Sequence, residues 1–451
     1  MAGVEPLPRL VSSSPRVYIF DDFFSDRECE YLINLSSGKL QPAGVVAHKD
    51  TKYDLQTLSR NNEQHWITNH EERDYPVLRH LIRRMHRVAR IPDTDAEGLQ
   101  IGRYTEGQKY EMHIDSAPAH DVTRPATLLM YLSDVEEGGD TLFPLSQRDQ
   151  CHARWYGDEY GCAKCCKEDL SGTLKLHPKK GTAVLFFSHA PNGKLDDLTE
   201  HIACPVRAGT KWIAQRWFRT LPYQKVRQPV DRRFDGLPRE TTRAEGPWNG
   251  RVHVLSQKSP RLYLLDSFLT DDECEHVASH ARGGSVVIDK RFWQEDEVFG
   301  RIAHRMELAA YTSAEYAKAA RVLGFSVDQS REVAPANSAG DWATLLIFLE
   351  EAQGGEAVFP VWRGSPTMPL ASVCPGSNAT MPSPDALRVP AKRGRAVLVL
   401  REMMPSTAPG KLESTAFGIC PVTDGVLLML EQSWAARRQQ SSHSRMHHEE
   451  I

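Results

Sequence analysis

The sequence contains no run of about 18 consecutive apolar residues, so it lacks a segment long enough to span a membrane as a helix. Its first residues, 1–17, also lack the apolar core of a secretory signal. We therefore expect a cytoplasmic protein, with the ER or the secretory pathway as the alternative if a leader is missing from this sequence.

An excess of charge of either sign is also absent. The chain has 55 Lys and Arg against 59 Asp and Glu, a formal net charge of −4. A near-neutral surface gives no electrostatic basis for binding nucleic acid or an anionic membrane. We expect no nucleic-acid partner and no membrane span.

Cysteine is too sparse for a disulfide-stabilised scaffold, with nine in 451 residues. Four of them lie in one short segment, at Cys151, Cys162, Cys165 and Cys166. Their spacing, with His152 beside them, is compatible with a structural zinc site. A disulfide from Cys162 in an oxidising compartment and a surface loop of free thiols are equally compatible. The sequence leaves these three states open.

The chain repeats itself in four blocks that occur in the same order. Residues 14–30, 127–144, 181–185 and 204–206 return at 259–275, 344–360, 394–398 and 420–422. Such an order indicates a duplicated domain of about 200 residues, which suits a chain of this length. We predict a first domain at 1–222, a linker at 223–258, a second domain at 259–440 and a flexible tail at 441–451.

Within the first domain a helical pattern gives way to short β-rich runs. Apolar residues at helical spacing predict a helix over 75–89. The predicted strands are 99–104, 109–114, 126–133, 139–143, 182–188 and 211–218. We predict an α+β fold that is mostly β, with two tandem double-stranded β-helix (jelly-roll) domains that each carry N-terminal helices.

A histidine and an aspartate stand two residues apart in the predicted strand 109–114. On a strand, His113 and Asp115 point to the same face. One imidazole and one carboxylate are two ligands of the 2-His-1-carboxylate set that holds Fe(II) and leaves positions open for oxygen and a co-substrate. The candidate for the third ligand is His201. Ten residues later, Lys211 opens an apolar strand, where a buried ammonium needs an anionic partner such as a small dicarboxylate.

These motifs, in this order, give the chain a family resemblance over about residues 14–220. It resembles the prolyl 4-hydroxylase branch of the Fe(II)/2-oxoglutarate-dependent dioxygenases. The resemblance is carried by Tyr-x-x-His-x-Asp at 110–115, the block 127–141 ending in Gly-Gly-Asp-Thr, Lys-Gly-Thr-Ala at 180–183, and His-x-x-Cys-Pro-Val with the following Lys-Trp at 201–212.

The resemblance implies a role for each matching residue. The iron ligands would be His113, Asp115 and His201. Residues that bind 2-oxoglutarate would be Lys211, Tyr104 and Thr141. Residues that line the catalytic pocket or hold a peptide would be Tyr110, Arg124 and Trp217.

The resemblance also implies an activity: hydroxylation of prolyl residues, coupled to conversion of 2-oxoglutarate to succinate and CO₂. Its cofactors would be Fe(II), 2-oxoglutarate and O₂, with ascorbate as reductant, and its partner a proline-containing peptide or protein. Two alternatives remain open. The same cofactors would serve a hydroxylase of free proline or another small metabolite, and a binding protein with a vestigial first site is a reading of another class.

The second copy lacks the residues that carry this chemistry. Phe417 stands where the first copy has His201, and Leu427 lies near the position of Lys211. No histidine occurs between Arg305 and Ser442. We therefore predict a non-catalytic pseudo-domain, which binds substrate or packs on the first domain.

Overall fold

The computed structural model describes residues 7–43, 59–116, 123–144, 146, 166, 173–191, 193–219, 248, 252–256, 261–281, 286–288, 290–334, 341–360, 374, 386–400 and 417–435. The chain divides into two compact units, one of residues 5–190 and 194–226 and one that is mainly residues 227–451. The predicted tail at 441–451 lies outside the described residues, as do Cys151, Cys162 and Cys165. None of the described helices has the length and apolar character needed to cross a membrane.

The described residues of the first unit form three α-helices: α1 (Asp26–Ser37), α2 (Asn69–Asp74) and α3 (Pro76–Ala89). Helix α1 begins at a capping box, in which Ser25 accepts a hydrogen bond from the amide of Glu28 and the Glu28 carboxylate accepts one from the amide of Ser25. Helix α3 falls at the predicted place. It buries one apolar face, formed by Leu78, Leu81, Ile82 and Met85.

Fourteen strands also lie among the described residues of the first unit. They are β1 (Arg9–Ser13), β2 (Arg16–Phe20), β3 (Gln41–Pro42), β4 (Glu63–Ile67), β5 (Leu99–Tyr104), β6 (Tyr110–His113), β7 (Thr127–Tyr131), β8 (Glu137–Gly138), β9 (Thr141–Phe143), β10 (Leu174–Leu176), β11 (Ala183–Phe186), β12 (His201–Ala203), β13 (Val206–Ala208) and β14 (Lys211–Trp217). The major sheet has the order β1-β2-β11-β7-β14-β5-β4-β3, the minor sheet the order β10-β9-β12-β6, and β13 pairs with β8.

The core of the first unit lies between these two sheets. Tyr131, Phe186 and Ile213 of the major sheet pack in one buried cluster with Phe143 and Leu176 of the minor sheet. Two facing antiparallel sheets with a shared apolar interior give a jelly-roll-like fold, as predicted. Side chains alternate along each strand, so alternate residues of β5, β7 and β14 point into this interior.

The part of the second unit that the structure describes contains three α-helices and thirteen strands. The helices are α4 (Asp271–Ser279), α5 (Lys290–Glu295) and α6 (Glu297–Ala310). The strands are β15 (His253–Ser256), β16 (Arg261–Leu265), β17 (Val286–Ile288), β18 (Ala320–Phe325), β19 (Arg331–Ala334), β20 (Asp341–Phe348), β21 (Gln353–Gly354), β22 (Ala357–Pro360), β23 (Ala386–Val389), β24 (Ala396–Leu400), β25 (Phe417–Ile419), β26 (Val422–Asp424) and β27 (Leu427–Ala435).

The sheets of the second unit have the orders β15-β16-β24-β20-β27-β18-β17, β19-β25-β22-β23 and β21-β26. Its apolar core again joins the two larger sheets and includes Leu346, Phe359 and Phe417.

The stretch 223–258, predicted as a linker, contains regular structure at its C-terminal end. Strand β15 pairs antiparallel with β16, with Val254 opposite Tyr263. Earlier in the same stretch, the Trp248 ring is buried 5.1 Å from the ring of Phe268. The apolar side chains of this segment therefore belong to the second unit, which moves the start of that unit upstream of residue 259.

Candidate active site

Strands β6 and β12 of the minor sheet are neighbours, and their register brings two histidines together. His113 and His201 are directly opposed in the antiparallel ladder. Strand β6 ends at His113, so Asp115 lies just beyond the strand rather than in it, and its carboxylate turns back between the two rings. Its oxygens lie 3.6 Å from Nε2 of His113 and 3.9 Å from Nε2 of His201. We call these three residues the triad.

Each side chain of the triad is held in place by a neighbouring group. Nδ1 of His113 lies 2.7 Å from the carbonyl oxygen of Glu111, and Nδ1 of His201 lies 3.0 Å from that of Thr199. The hydroxyl of Thr127 donates a 2.6 Å hydrogen bond to Asp115 Oδ2. A carbonyl oxygen accepts a hydrogen bond from each Nδ1. Both Nε2 lone pairs are therefore directed at the shared centre, as in metal sites.

The protonation states of the triad also suit a cation. Burial, together with the proximity of His201, lowers the pKa of His113 to about 3, so the ring is neutral at pH 7. Burial alone would raise the pKa of Asp115, but the adjacent His201 and His113, Arg124 and the Thr127 hydroxyl hold it below the usual value. The neutral imidazole of His113, the imidazole of His201 and the ionised carboxylate of Asp115 have donor atoms within 4.8 Å of one another and form a donor set for a divalent ion.

Lys211 opens β14 on the interior side of the major sheet. It is 1% exposed, and its ammonium lies 5.4 Å and 5.7 Å from the ring centroids of Tyr104 and Tyr131. Among the described residues no carboxylate forms an ion pair with it; the nearby Asp140 is bonded to His177 and paired with Lys175. Burial lowers the pKa of Lys211 to about 7, with Asp140 acting in the opposite direction.

Hydroxyl groups surround this ammonium. Tyr131 donates a 2.8 Å hydrogen bond to Oγ1 of Thr141, and both side chains are buried. Tyr104 is opposite Lys211 in the β5–β14 ladder. Burial raises the pKa of both tyrosines, so both remain neutral donors at pH 7. The structure thus places Lys211, Tyr104 and Thr141 together, as the sequence predicted.

The three residues predicted to contact substrate also lie near the triad. Tyr110 stacks on His113, with ring centroids 3.6 Å apart and an interplanar angle of 19°. Arg124 lies over Trp217, 4.2 Å from the ring centroid, and forms a bidentate pair with Glu97 at 2.6 and 2.8 Å. Arg124 also donates to the carbonyl oxygen of Asp115. Its guanidinium therefore also positions the triad backbone, a contact that sequence did not predict.

Three further residues of this region were not singled out from the sequence: Thr127, Tyr131 and Arg60. The first two occur in the repeated block 127–144, where their alternation along β7 with Leu129 indicates interior-facing positions. Arg60 lies 4.6 Å from the ring of Tyr110 and donates to Asn62 and Gln100. It carries no sequence motif that would have identified it.

Comparison with known proteins relates this site to a family. A family model described as the 2OG-Fe(II) oxygenase superfamily matches residues 99–219, which include the whole triad and Lys211. "Probable prolyl 4-hydroxylase 10" of Arabidopsis thaliana is 33% identical over 220 residues, covering 48% of this chain and 72% of the relative. "Prolyl 4-hydroxylase 1" of the same plant is 34% identical over 220 residues, covering 47% and 71%.

The chain belongs to the prolyl 4-hydroxylase branch of the 2OG-Fe(II) oxygenase superfamily. It is therefore an Fe(II)/2-oxoglutarate-dependent dioxygenase, whose cofactors are Fe(II), 2-oxoglutarate and O₂. Among solved structures it is similar to the viral collagen prolyl hydroxylase vCPH from Paramecium Bursaria Chlorella virus-1, in its 2OG complex. That likeness has 30% identity and a TM-score of 0.32, and covers 46% of this chain and 97% of the other.

A disulfide joins the end of the minor sheet to the cysteine-rich segment. Cys204, directly after β12, is bonded to Cys166. Both are buried beside Leu142 and Ile202. Cys166 is therefore not a free thiolate for the zinc site that the sequence left open. The bridge uses Cys166, and the predicted alternative, Cys162, lies outside the described residues.

Proposed function

We propose that the first unit hydroxylates prolyl residues in a peptide or protein, with 2-oxoglutarate and O₂ as co-substrates and ascorbate as reductant. The observation that carries the proposal is the presence, in one buried interior, of a metal-competent triad and of the Lys211 ammonium, which forms no ion pair with any carboxylate of the described residues. The two Arabidopsis thaliana relatives named above are matched over more than two thirds of their length, and their names as prolyl 4-hydroxylases support the choice of substrate.

His113, Asp115 and His201 would hold the iron, since their donor atoms converge within 4.8 Å of one another. Bound Fe(II) supplies the redox chemistry that couples decarboxylation of 2-oxoglutarate to succinate and CO₂ with insertion of oxygen into a substrate C–H bond. The chain's own part is to keep the imidazole of His113 neutral, hold the carboxylate through Thr127 and leave the remaining coordination positions open.

Lys211 would receive the distal carboxylate of 2-oxoglutarate. A buried ammonium with a pKa lowered to about 7 is poorly solvated, and a bound carboxylate would supply the missing negative charge. The hydroxyls of Tyr104 and Thr141 would donate to the same carboxylate, and Tyr131, which donates to Thr141, would hold the Thr141 hydroxyl in place. Their neutral state lets them act as donors at pH 7.

Tyr110, Arg124 and Trp217 would form the substrate side of the pocket. The stacked Tyr110 fixes the plane of the His113 ring. Trp217 is 4% exposed beneath the Arg124 guanidinium, so it would support Arg124 from the interior side of the pocket, and Arg124 would be the group that faces a peptide.

The decisive experiment incubates the full chain with Fe(II), ascorbate, 2-oxoglutarate and proline-rich peptides, and follows succinate formation and a peptide mass gain of one oxygen atom. His113→Ala is expected to abolish both, while His80→Ala, at an exposed position of α3, should keep both. Succinate formation that depends on free proline and on none of the peptides would favour the small-metabolite alternative. Failure of the unaltered chain to bind Fe(II) or 2-oxoglutarate by calorimetry would favour a binding protein with a vestigial site.

We further infer that the second unit is a duplicate of the first that has lost its site, so that the domains are a catalytic one at 1–222, a linker within 223–258 and a pseudo-domain to about residue 440. The sheet orders support this inference. The run β2-β11-β7-β14-β5 of the first unit corresponds to β16-β24-β20-β27-β18 of the second, with antiparallel pairing throughout.

The ladder registers extend the correspondence to single residues. The pair His113–His201 corresponds to Ala334–Phe417. The pair Lys211–Tyr104 corresponds to a pair with no polar side chain, Leu427–Phe325.

The hydroxyl groups are lost in the same way. Tyr131 has Phe348 as its counterpart, because each precedes the Gly-Gly turn in the same repeated block, and Thr141 has Ala357. Phe325, Phe348, Ala357, Phe417 and Leu427 all belong to the apolar core of the second unit. Residual 2-oxoglutarate turnover in His113→Ala would contradict this inference, because it would require a second site.

We propose that the protein matures in an oxidising compartment, which favours the ER or secretory pathway over the cytoplasm. The support comes from two disulfides, Cys166–Cys204 and Cys374–Cys420. Disulfides persist in oxidising compartments and are rare in the cytosol. Mass mapping of peptides from alkylated, non-reduced protein tests this: recovery of all four cysteines as alkylated thiols would overturn it.

A further inference from the structure

A second group of two histidines and one aspartate lies on the surface of the second unit. It consists of His276 and His280 on α4 and Asp296 at the start of α6, and we call it the surface cluster. One ligand atom from each residue lies within 4.8 Å of the others. Among the described residues, the triad is the only other group of histidine, cysteine and acidic residues with this property. Neither the proposed hydroxylase activity nor the family resemblance uses these residues.

The helix places the two imidazoles side by side. His276 and His280 are four residues apart, and residues at this spacing are neighbours on one face of a helix. His280 is the C-cap residue but keeps helical backbone angles, with φ −77° and ψ −13°. The ring centroids are 5.2 Å apart.

The ring of His280 is oriented for ligation. Its Nδ1 lies 2.8 Å from the carbonyl oxygen of His276. That carbonyl accepts a hydrogen bond from Nδ1–H, which leaves Nε2 as the lone-pair nitrogen. Histidine ligands of metal ions are commonly oriented by such a bond to the other ring nitrogen.

The two carboxylate oxygens of Asp296 have different partners. Oδ1 accepts hydrogen bonds from the amides of Val298 and Phe299, at 2.8 and 3.0 Å, and so caps α6. Oδ2 lies 2.8 Å from Nε2 of His276. The cap fixes the carboxylate, and its second oxygen faces the histidines.

Aromatic rings form an apolar wall behind the two imidazoles. The ring of Phe299 lies 5.3 Å from that of His276 and 5.2 Å from that of His280, and Phe292 lies 5.8 Å from His280. The opposite side is open to water, since the side chains of His276 and Asp296 are 31% and 28% exposed. Oriented donors with an apolar wall on one side and water on the other fit an ion that keeps water ligands.

We propose that the surface cluster binds a divalent transition-metal ion, with Zn²⁺ as the best-matched cation. Imidazole nitrogen and carboxylate oxygen are common zinc ligands at about 2.0–2.2 Å, which places tetrahedral donors roughly 3.4 Å apart. The hydrogen bond between His276 and Asp296 must lengthen slightly to admit the ion. The longer distances between ligand atoms of the cluster must shorten by about 1 Å. Side-chain rotation suffices for both. The ion would tie the C-terminal end of α4 to the N-terminus of α6.

The donor set also predicts selectivity. Imidazole ligands favour Zn²⁺, Ni²⁺ and Cu²⁺ over Mn²⁺, and Mg²⁺ and Ca²⁺ prefer all-oxygen sites. The order of affinities should therefore be Zn²⁺ above Mn²⁺, with no binding of Mg²⁺ at this cluster.

The test is a zinc titration of the chelator-treated full chain against a competing indicator, with the bound equivalents counted. The unaltered protein should bind one equivalent more than His280→Ala or Asp296→Asn, the latter retaining an oxygen that can cap α6. Each substitution should weaken that equivalent more than about 100-fold, because even outer partners of a metal site contribute 10–100-fold. His201→Ala should remove a different equivalent.

His304→Ala is the matched control, because His304 is an exposed histidine of α6 outside the cluster. It should bind as many equivalents as the unaltered chain. Circular dichroism of all variants in chelator should be identical, and Zn²⁺ should raise the melting temperature of the control but shift that of His280→Ala less. The proposal is overturned if His280→Ala and Asp296→Asn retain the stoichiometry and affinity of the control.

Discussion

Replacing Lys211 by methionine tests two effects of its buried charge separately: the loss of folding stability that it causes and the binding of 2-oxoglutarate that it provides. The shift of its pKa from 10.5 to about 7 corresponds to about 5 kcal/mol of preference against the ammonium form. A bound dicarboxylate would offset that preference. Methionine keeps the length of the side chain and removes the charge, so Lys211→Met should lose co-substrate binding without losing the fold.

The loss of binding should be large. Removing one partner of a buried charge pair costs about 2–5 kcal/mol, so the KM for 2-oxoglutarate should rise roughly 30- to 4,000-fold. The assay is succinate formation at saturating Fe(II) and peptide, over a range of 2-oxoglutarate concentrations. Lys39→Met, which removes an exposed lysine of the same unit, is the control. A KM within twofold of the unaltered chain would refute the assignment of Lys211.

The stability of the apo-protein should move in the opposite direction. A lysine whose pKa is lowered by folding binds fewer protons in the folded state than in the unfolded state, so its contribution to stability falls as pH drops from 10.5 towards 7. Lys211→Met lacks this penalty and should be more stable at pH 7, by at most about 4 kcal/mol. The advantage should shrink to at most about 1.4 kcal/mol at pH 9.5. Urea denaturation in chelator at both pH values measures it, and a variant less stable at pH 7 would contradict the reasoning.

Two other substitutions test the surroundings of the triad. Thr127→Val removes the hydroxyl that donates to Asp115. It should weaken Fe(II) binding or turnover about 10–100-fold, and iron titration measures the binding. Unchanged iron affinity would show that the hydrogen bond does not support the metal site. Cys204→Ser opens the bond to Cys166 and should reduce the free energy of unfolding by about 2–5 kcal/mol. In this variant, reductant can no longer lower the melting temperature by breaking the Cys166–Cys204 bond. A melting temperature equal to that of the unaltered chain would argue against the bridge.

The sequence predicted elements and motif-borne ligands well because both depend on local pattern. Helix α3 and strands β5, β6, β7 and β14 lie where periodicity placed them. The triad was predicted because two of its members are two residues apart and the third heads a distinctive motif.

Residues whose role depends on distant partners were not predicted. Tyr131 reaches the surroundings of Lys211 through the pairing of β7 with β14, and Arg60 reaches Tyr110 across an isolated bridge between non-consecutive segments. The pairing of Arg124 with Glu97 joins residues 27 positions apart. Sequence periodicity states which face a side chain occupies, but not which strand lies opposite it.

The second unit offers the converse of the Lys211 experiment. Leu427 is fully buried in an apolar core beside Phe325, its partner in the ladder. A lysine there would have aromatic neighbours without hydroxyls, and desolvation would disfavour its charged form as it does for Lys211. In the first unit that cost would be offset when an anionic co-substrate binds, whereas among the described residues no second His-Asp-His set lies in the interior of the second unit to hold such a ligand. Leu427→Lys should therefore destabilise the second unit at every 2-oxoglutarate concentration.

Hydrogen exchange read on peptides from β27 reports this effect locally, which suits a chain of two units. The opening free energy measured from protection should fall by several kcal/mol in Leu427→Lys, which is the scale of burying an uncompensated charge. In the volume-matched control Leu427→Met it should fall by less than about 1.5 kcal/mol. Restoration of protection by 2-oxoglutarate would mean that the second unit retains a co-substrate pocket, and that its apolar interior does not exclude the ligand. The contrast between Lys211 and Leu427 thus tests whether the polar interior of the first unit is maintained for its ligand, at a cost in stability that the second unit avoids.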